Sequence, residues 1–355
     1  MSILFLSEMS KESGLGHWLR CYRLAQILDA EGHRIHFIFD ALIKDKDIFV
    51  PTDFISKHTI SSTITDISII TELKVLIQNN SIKLIIIDGY GFTSDYRKSL
   101  ADLGLPIVAF DDINDCSNYH CNLLINTGNN AESIDYTQSA QGARLCLGAE
   151  YQVLSQPYIN CRNTLNNAFS ASSNRDGWLS RNAISIIMGG ADTQDLTLPL
   201  LETLSGLDWG DNIPIFNIVT TNLYPALNGI RAFIDDSSLQ MTHIHQNEDL
   251  SSVFMASRLA ISAAGGTIYE LQACATPSIL ICLAENQMEA ARQAEKSGFA
   301  IGFNYLGTSS LESVGQLCHN IWFDSDALNT MHATLMSDYQ ITSNDKLLTA
   351  INSLL

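Results

Sequence analysis

Short apolar runs alternate with longer stretches of helical periodicity along most of the chain. ILFLS (3–7), RIHFIFD (34–40), KLIIID (83–88), PIVAF (106–110) and NLLIN (122–126) read as strands, several of them apolar on both faces. Helical patterns lie between them, from about His17, after Ile64 and near Ser94. The stretch NNAFSASSNRDGWLSRN (166–182) is rich in Asn, Ser and Gly and has no period, so it reads as a linker. The alternation then restarts with AISIIMGG, IPIFNIVT, LQMTHI, RLAISA, PSILICLA and AIGF, with helices expected after Thr193, Thr267 and Asn286. Strand and helix in alternation predict parallel sheets covered by helices on both faces. The expected class is therefore α/β, with two doubly wound Rossmann-like domains: residues 1–165, and residues 183–355 ending in a helical tail. Ligands in such sheets bind beyond the carboxyl ends of the strands, and two sheets facing one another would form a cleft.

A length of 355 residues agrees with about two domains, because a single core stops growing near 250–300 residues. A mean hydropathy of +0.09 describes dense cores, and no apolar run is long enough to span a bilayer. The opening MSILFLSEMSKE has no basic segment ahead of its apolar run, so a first strand is expected rather than a signal peptide, and with it a cytoplasmic protein. Charge narrows the ligand. The chain carries 20 basic and 38 acidic residues, a formal charge of −18, which argues against nucleic acid as a partner. An anionic ligand would have to be held by backbone amides and helix N-termini instead. The eight cysteines contain no C-x-x-C pair and read as reduced thiols. Cys116, His120 and Cys121 are close in sequence, but no second ligand pair follows, and no metal or cofactor is expected.

Glycine turns at strand ends carry the candidate chemistry. SKESGLGHWLRC (10–21) follows the first strand and opens a helix, yet Leu19 occupies the place of the last glycine in a dinucleotide fingerprint. Gly14 and Gly16 let backbone approach a ligand, and His17 stands at the helix start. There the helix dipole is expected to lower its pKa and keep it neutral as a base; the plainer alternative is a capping histidine. Asp88, Asp111 and Asp112 end neighbouring strands, where they could orient His17, grip sugar hydroxyls or simply bond their own turns. In the second half, Gly189 and Gly190 follow one strand, and Gly265 and Gly266 follow another. Thr267 and Glu270 come next, either as a capping box or with Glu270 accepting from ribose hydroxyls. Asn286 and Gln287 follow a third strand as an N-cap pair or as ligand contacts.

The motifs GLGHWLRCYRLAQIL, LIIIDGYG, AFDDINDCSNYHCNLLIN, CLGAEYQVL, IMGGADTQDLT and LAISAAGGTIYELQACATPSILICLAENQ, taken in this order, resemble those of a bacterial nucleotide-sugar hydrolase family. It is the UDP-2,4-diacetamido-2,4,6-trideoxy-β-L-altropyranose hydrolase family of pseudaminic acid biosynthesis, related to MurG-like glycosyltransferases. The resemblance runs from about residue 3 to about residue 303. It implies a GT-B fold and metal-independent hydrolysis of the sugar–UDP bond, with His17 as base on water. It implies a sugar side at Gly14, Gly16, Arg20, Asp88, Tyr90, Asp111 and Asp112. It implies UDP contacts at Gly189, Gly190, Gly265, Gly266, Thr267, Glu270, Asn286 and Gln287. A UDP-sugar is the expected partner, and a monomer the expected state. The chain departs from the family pattern at Gly89, where many relatives carry histidine, at Asn122 and Gly128, and in its longer C-terminal tail. A transferase on the same fold and a nucleotide-sugar binding module without turnover remain alternatives. A nicotinamide enzyme is a third, since Asp40 ends the second strand, although Leu19 argues against it.

Overall fold

The computed structural model describes residues 1–9, 15–40, 52–128, 130–170, 178, 180–305, 310–339 and 341–355. The chain divides into two compact units, residues 1–155 with 343–355, and residues 156–342.

The first unit holds a seven-stranded parallel sheet: β1 (Ser2–Ser7), β2 (Arg34–Asp40), β3 (Ile55–Ile60), β4 (Ile82–Asp88), β5 (Ile107–Phe110), β6 (Leu123–Asn126) and β7 (Arg144–Leu147). Their spatial order is β3-β2-β1-β4-β5-β6-β7, every pair parallel. The direction of winding reverses between β1 and β4, which is where a doubly wound sheet opens a crevice at its strand ends. Helices α1 (Gly16–Ala30), α2 (Ile70–Asn80) and α3 (Ser94–Ala101) make the crossovers. All six residues of β1 are buried, as a central strand covered on both faces requires. Trp18 sets the rotation of α1: its ring packs edge-on against Phe37 at 4.8 Å and Phe39 at 5.3 Å, with Tyr22 one turn on at 5.7 Å. His17 and Arg20, three residues apart and so on a common face, are thereby turned away from these rings. β3 and β7 are sheet edges, and neither has the apolar signature of the central strands: ISKHTI and RLCL each expose part of their length.

The second unit repeats the architecture with six parallel strands: β8 (Ala183–Ile187), β9 (Ile215–Thr220), β10 (Met241–His245), β11 (Ser257–Ala263), β12 (Ser278–Cys282) and β13 (Ala300–Asn304). Their order is β10-β9-β8-β11-β12-β13, so the reversal falls between β8 and β11. Its helices are α4 (Gln156–Ser170), α5 (Thr197–Ser205), α6 (Leu227–Asp236), α7 (Ser251–Ala256), α8 (Thr267–Ala273), α9 (Glu285–Lys296), α10 (Leu311–Phe323) and α11 (Ser325–Asp338). Trp178, Trp209, Phe216 and Trp322 belong to one large core cluster with the apolar residues of β8, β9, β11 and β12.

Two sequence expectations need correction. The boundary drawn at residue 165 falls inside α4, which belongs wholly to the second unit. The C-terminal tail is helical, but its last helix, α12 (Asp345–Asn352), returns to the first unit instead of staying with the second. Leu347, Ala350 and Ile351 of α12 are buried, and Asn344 beside it accepts from the Leu154 amide at 3.2 Å and donates to the Leu154 carbonyl at 2.8 Å. Much of the expected linker, 171–177 and 179, lies outside the described residues. No helix among them is long and apolar enough to cross a membrane.

Candidate active site

β1 and β4 lie side by side at the winding reversal, and their carboxyl ends bring together residues that are far apart in sequence. His17 Nδ1 lies 2.8 Å from Asp88 Oδ1. Arg20 donates from Nε to Asp88 Oδ2 and from Nη2 to Asp88 Oδ1, both at 2.7 Å. The same guanidinium donates to both oxygens of Asp112, at 2.7 and 3.0 Å. Tyr90 donates to Asp112 Oδ2 at 3.1 Å and sets its ring edge-on to His17 at 4.6 Å. Arg20 also lies over the Phe110 ring at 4.9 Å. The result is a planar fork clamped between two carboxylates, one of which orients an imidazole.

Electrostatics follow from this packing. Burial opposes ionisation of Asp88, but Arg20 and then His17 outweigh it and hold the carboxyl well below the usual range. Asp112 is depressed on the same balance, with Arg20 overcoming burial. Asp88 is therefore an acceptor only, so Nδ1 of His17 carries a proton and Nε2 is left for chemistry. The 3.4 Å approach of Arg20 Nη2 to Nδ1 is then a contact of two donors and not a hydrogen bond. Among the described residues nothing bonds Nε2. The sequence reading expected a lowered His17 pKa, and the structure reverses it. Burial does disfavour the cation, but Asp88 beside it more than compensates and lifts the pKa above its ordinary value. The capping role falls away as well: Leu15 holds the N-cap of α1 without a side-chain bond.

Asp111 stands apart from this group. It is buried, and it accepts from Tyr119 at 2.5 Å, from Tyr136 and from the Asn114 amide at 2.9 Å. Its oxygens hold the loop after β5 in shape. Gly16 has ordinary backbone geometry, and a Cβ there would meet nothing within 4 Å, while Gly14 lies outside the described residues. Gly89 is different. Its φ of +152° disfavours any side chain, and a Cβ would come within 2.6 Å of Glu8 Oε2 and 2.8 Å of Glu8 Cβ. Glu8 accepts from the Gly91 amide at 3.0 Å, and Arg97 donates to the carbonyls of Gly89 and Phe92 from the buried side. A histidine, which the resemblance predicts after Asp88, would have no room at position 89 because Glu8 fills that space. Glu8 was not singled out by its sequence; the paired glycines of DGYG were the available signal.

In the second unit the corresponding strand ends carry the glycine turns. After β8, Gly189 has φ +70°; Tyr224 donates to its carbonyl at 2.8 Å, and Thr221 donates to that of Gly190 at 2.6 Å. Buried Asp192 accepts from the amides of Leu196 and Thr197, both at 2.9 Å, and so fixes the turn to the start of α5. After β11, Gly265 and Gly266 have no positive φ, and a Cβ on either would reach open space. Neither backbone geometry nor packing asks for glycine there. Gly266 is the N-cap of α8 with no side-chain cap, so Thr267 lies inside the helix and the Thr267–Glu270 capping box does not form. Glu270 is only 3% exposed. After β12, Ala284 caps α9, which removes the N-cap reading of Asn286 and Gln287. Gln287 instead accepts from the Leu283 amide at 2.8 Å, and the Asn286 side chain lies outside what is described. No group of three His, Cys, Asp or Glu placed to hold a metal occurs among the described residues.

No family model matches the chain. Across 86% of its length it is 25% identical to the whole of the UDP-2,4-diacetamido-2,4,6-trideoxy-beta-L-altropyranose hydrolase of Campylobacter jejuni. It is 23% identical over 81% of its length to 57% of an uncharacterized protein of Methanocaldococcus jannaschii. Among solved structures, Acinetobacter baumannii MurG covers 99% of both chains with a TM-score of 0.64 at 12% identity. Phytolacca americana UGT2, complexed with UDP-2fluoro-glucose and pterostilbene, also scores 0.64 at 13% identity, covering 99% of this chain and 98% of its own. Two parallel-sheet units and whole-chain likeness to these structures establish the GT-B fold, and over 86% of its length the chain is similar to the UDP-diacetamido-trideoxy-altropyranose hydrolase.

Proposed function

We propose that this protein hydrolyses a UDP-linked diacetamido-trideoxy sugar to UDP and free sugar, as a step of nonulosonate (pseudaminic acid) biosynthesis. The observation that carries the reading is the His17–Asp88 pair: an imidazole oriented through Nδ1 by an ionised carboxylate, with Nε2 unbonded among the described residues. In this reading Nε2 accepts a proton from water as that water attacks the anomeric carbon. Electrons of the breaking C–O bond leave with the diphosphate. Arg20 keeps Asp88 ionised, and Asp112 and Tyr90, the first bonded to Arg20 and the two to each other, are assigned to the sugar side. Asp111 drops out as a sugar contact because Tyr119, Tyr136 and Asn114 occupy it.

UDP is assigned to the strand-end turns of the second unit. Glycines at 265 and 266 that neither backbone geometry nor packing requires are what close approach of a ligand to backbone amides calls for. Glu270, deprived of its capping role, is assigned to the ribose hydroxyls, and the turns after β8 and β12 to the remaining nucleotide contacts. Amides and helix N-termini neutralise the diphosphate in this scheme, so the proposed chemistry runs without a metal.

The same base would serve a transferase by deprotonating an acceptor hydroxyl, and the solved GT-B neighbours include glycosyltransferases. Phosphorus NMR of the altropyranose substrate and of UDP-GlcNAc, each with the protein and no acceptor, separates the two. UDP released from the former alone is the expected result. Broadened UDP resonances without hydrolysis would replace the hydrolase reading by transfer or by binding without turnover.

A further inference from the structure

α4 and α8 pack together in the second unit, with a cysteine on α4 and another at the C-terminal cap of α8. Cys161 lies on α4 and is half-buried, whereas Cys274 is the buried C-cap residue of α8. Arg162, next to Cys161, donates to the Gln272 carbonyl and pins the two elements together at this point. Cys161 lines an open pocket of about 380 Å³ with Asn160, Thr164, Asp249, Ser251 and Met255, so one of the two sulfurs faces a route for small molecules. Cys274 donates to the Ser251 carbonyl at 3.7 Å, on the same wall. Arg181 donates to the Cys274 carbonyl at 3.2 Å, and with Arg162 it places two buried guanidinium groups near the thiols.

We propose that Cys161 and Cys274 form a redox-active thiol pair, with Cys161 reacting first with a peroxide and Cys274 resolving it to a disulfide. The Cys161 thiolate attacks one peroxide oxygen and becomes the sulfenic acid as hydroxide leaves. The Cys274 thiol then displaces water from that sulfur. Two electrons pass from the two thiols to one hydrogen peroxide, which ends as two waters. The order of reaction follows from access and from charge. Cys274 beside it, with Ser251 and Arg181 adding to the effect, lowers the Cys161 thiol to about 6 against the opposition of burial and Asp249, while the Cys274 thiol is pushed well up. The other half-buried cysteines, Cys116 and Cys121, are the internal comparison; Cys121 is pushed up to about 12 by burial.

The full-length protein, treated with stoichiometric hydrogen peroxide and digested without reductant, is expected to yield a peptide linking 161 to 274, with an intact mass lower by about 2 Da. In Cys274→Ser the Cys161 sulfenic acid should persist and be captured by dimedone, and in Cys161→Ser no 161-based adduct should form. In the untreated protein at pH 7, iodoacetamide should label Cys161 at least tenfold faster than Cys116 or Cys121. Absence of the 161–274 peptide together with Cys161 labelling no faster than Cys116 would overturn the proposal. A crosslink involving any other cysteine pair in its place would do the same.

Discussion

His17 and Asp88 are 71 positions apart in the chain, and their side chains meet at 2.8 Å at the carboxyl ends of β1 and β4. The contact fixes the tautomer and raises the imidazole pKa above 6.5 at once. A base must be unprotonated to act, so turnover is expected to rise with pH through an acidic limb lying above 6.5. Asp88→Asn removes the largest raising influence and leaves the smaller one of Asp112 against burial and Arg20, both of which lower the pKa. Its acidic limb should therefore move to lower pH, with kcat down by about 10²–10⁴-fold from the lost orientation. A pH–rate profile of both proteins checks this, and a limb that stays in place would remove Asp88 from the role of orienting group.

Arg20 holds two carboxylates at once, so its loss should be felt in stability as well as activity. Asp88 and Asp112 have depressed pKa values in the folded state; their contribution is present above the ordinary carboxylate pKa and fades as pH falls through the folded value. Arg20→Met leaves a buried Asp88 carboxylate with one partner fewer and should cost about 3–5 kcal/mol near neutral pH. The deficit should shrink as acid protonates that carboxylate in the variant. Arg20→Lys should recover little, because a point charge cannot fork onto two carboxylates. Urea unfolding of the three proteins at pH 7 and pH 4.5 measures each of these differences.

Gly89 and Glu8 form a second coupled pair. Gly89→Ala puts a side chain at φ +152° and drives its Cβ against Glu8, a combined cost of roughly 2–4 kcal/mol from strain and overpacking. Adding Glu8→Gly clears the space that the new Cβ needs but leaves the backbone strain. The double variant should accordingly regain only part of the loss, and a double-mutant cycle should return a favourable coupling. Strict additivity would mean that Glu8 and position 89 do not share this space.

How much of this was legible beforehand differs by element. Central strands such as LFL in β1 and LIII in β4 announce themselves because both faces are buried. The edges β3 and β7 pass unnoticed because Lys57, His58 and Arg144 sit where an edge meets water. The glycine turns and His17 were visible as local patterns. What local pattern could not supply was the partners of each aspartate: Asp111 and Asp112 are neighbours in sequence, yet Tyr119, Tyr136 and the Asn114 amide hold the first while Arg20 and Tyr90 hold the second. The direction of the His17 shift failed for the same reason. A helix-dipole argument sees only α1, whereas the dominant charge arrives from β4. The return of α12 to the first unit rests on its buried Leu347, Ala350 and Ile351 and on the bonds of Asn344 to Leu154, a pairing of segments 190 residues apart that no local periodicity marks.

The second-unit turns offer a test in which stability and binding should part company. At Gly265 a methyl group has open space and the backbone is unstrained, so Gly265→Ala should leave the thermal midpoint within about 2 °C of the parent, a stability change of a few tenths of a kcal/mol. If amides at this turn touch the UDP phosphates, the same methyl group obstructs them, and UDP affinity should fall by about tenfold or more. Glu270→Gln keeps the shape and removes the charge, so it should weaken UDP binding by losing strength in its bonds to ribose hydroxyls while leaving α8 folded. Calorimetric titration with UDP beside thermal melts gives both readouts on the same samples. A Gly265→Ala protein that binds UDP as tightly as the parent would move the nucleotide away from the β11 turn.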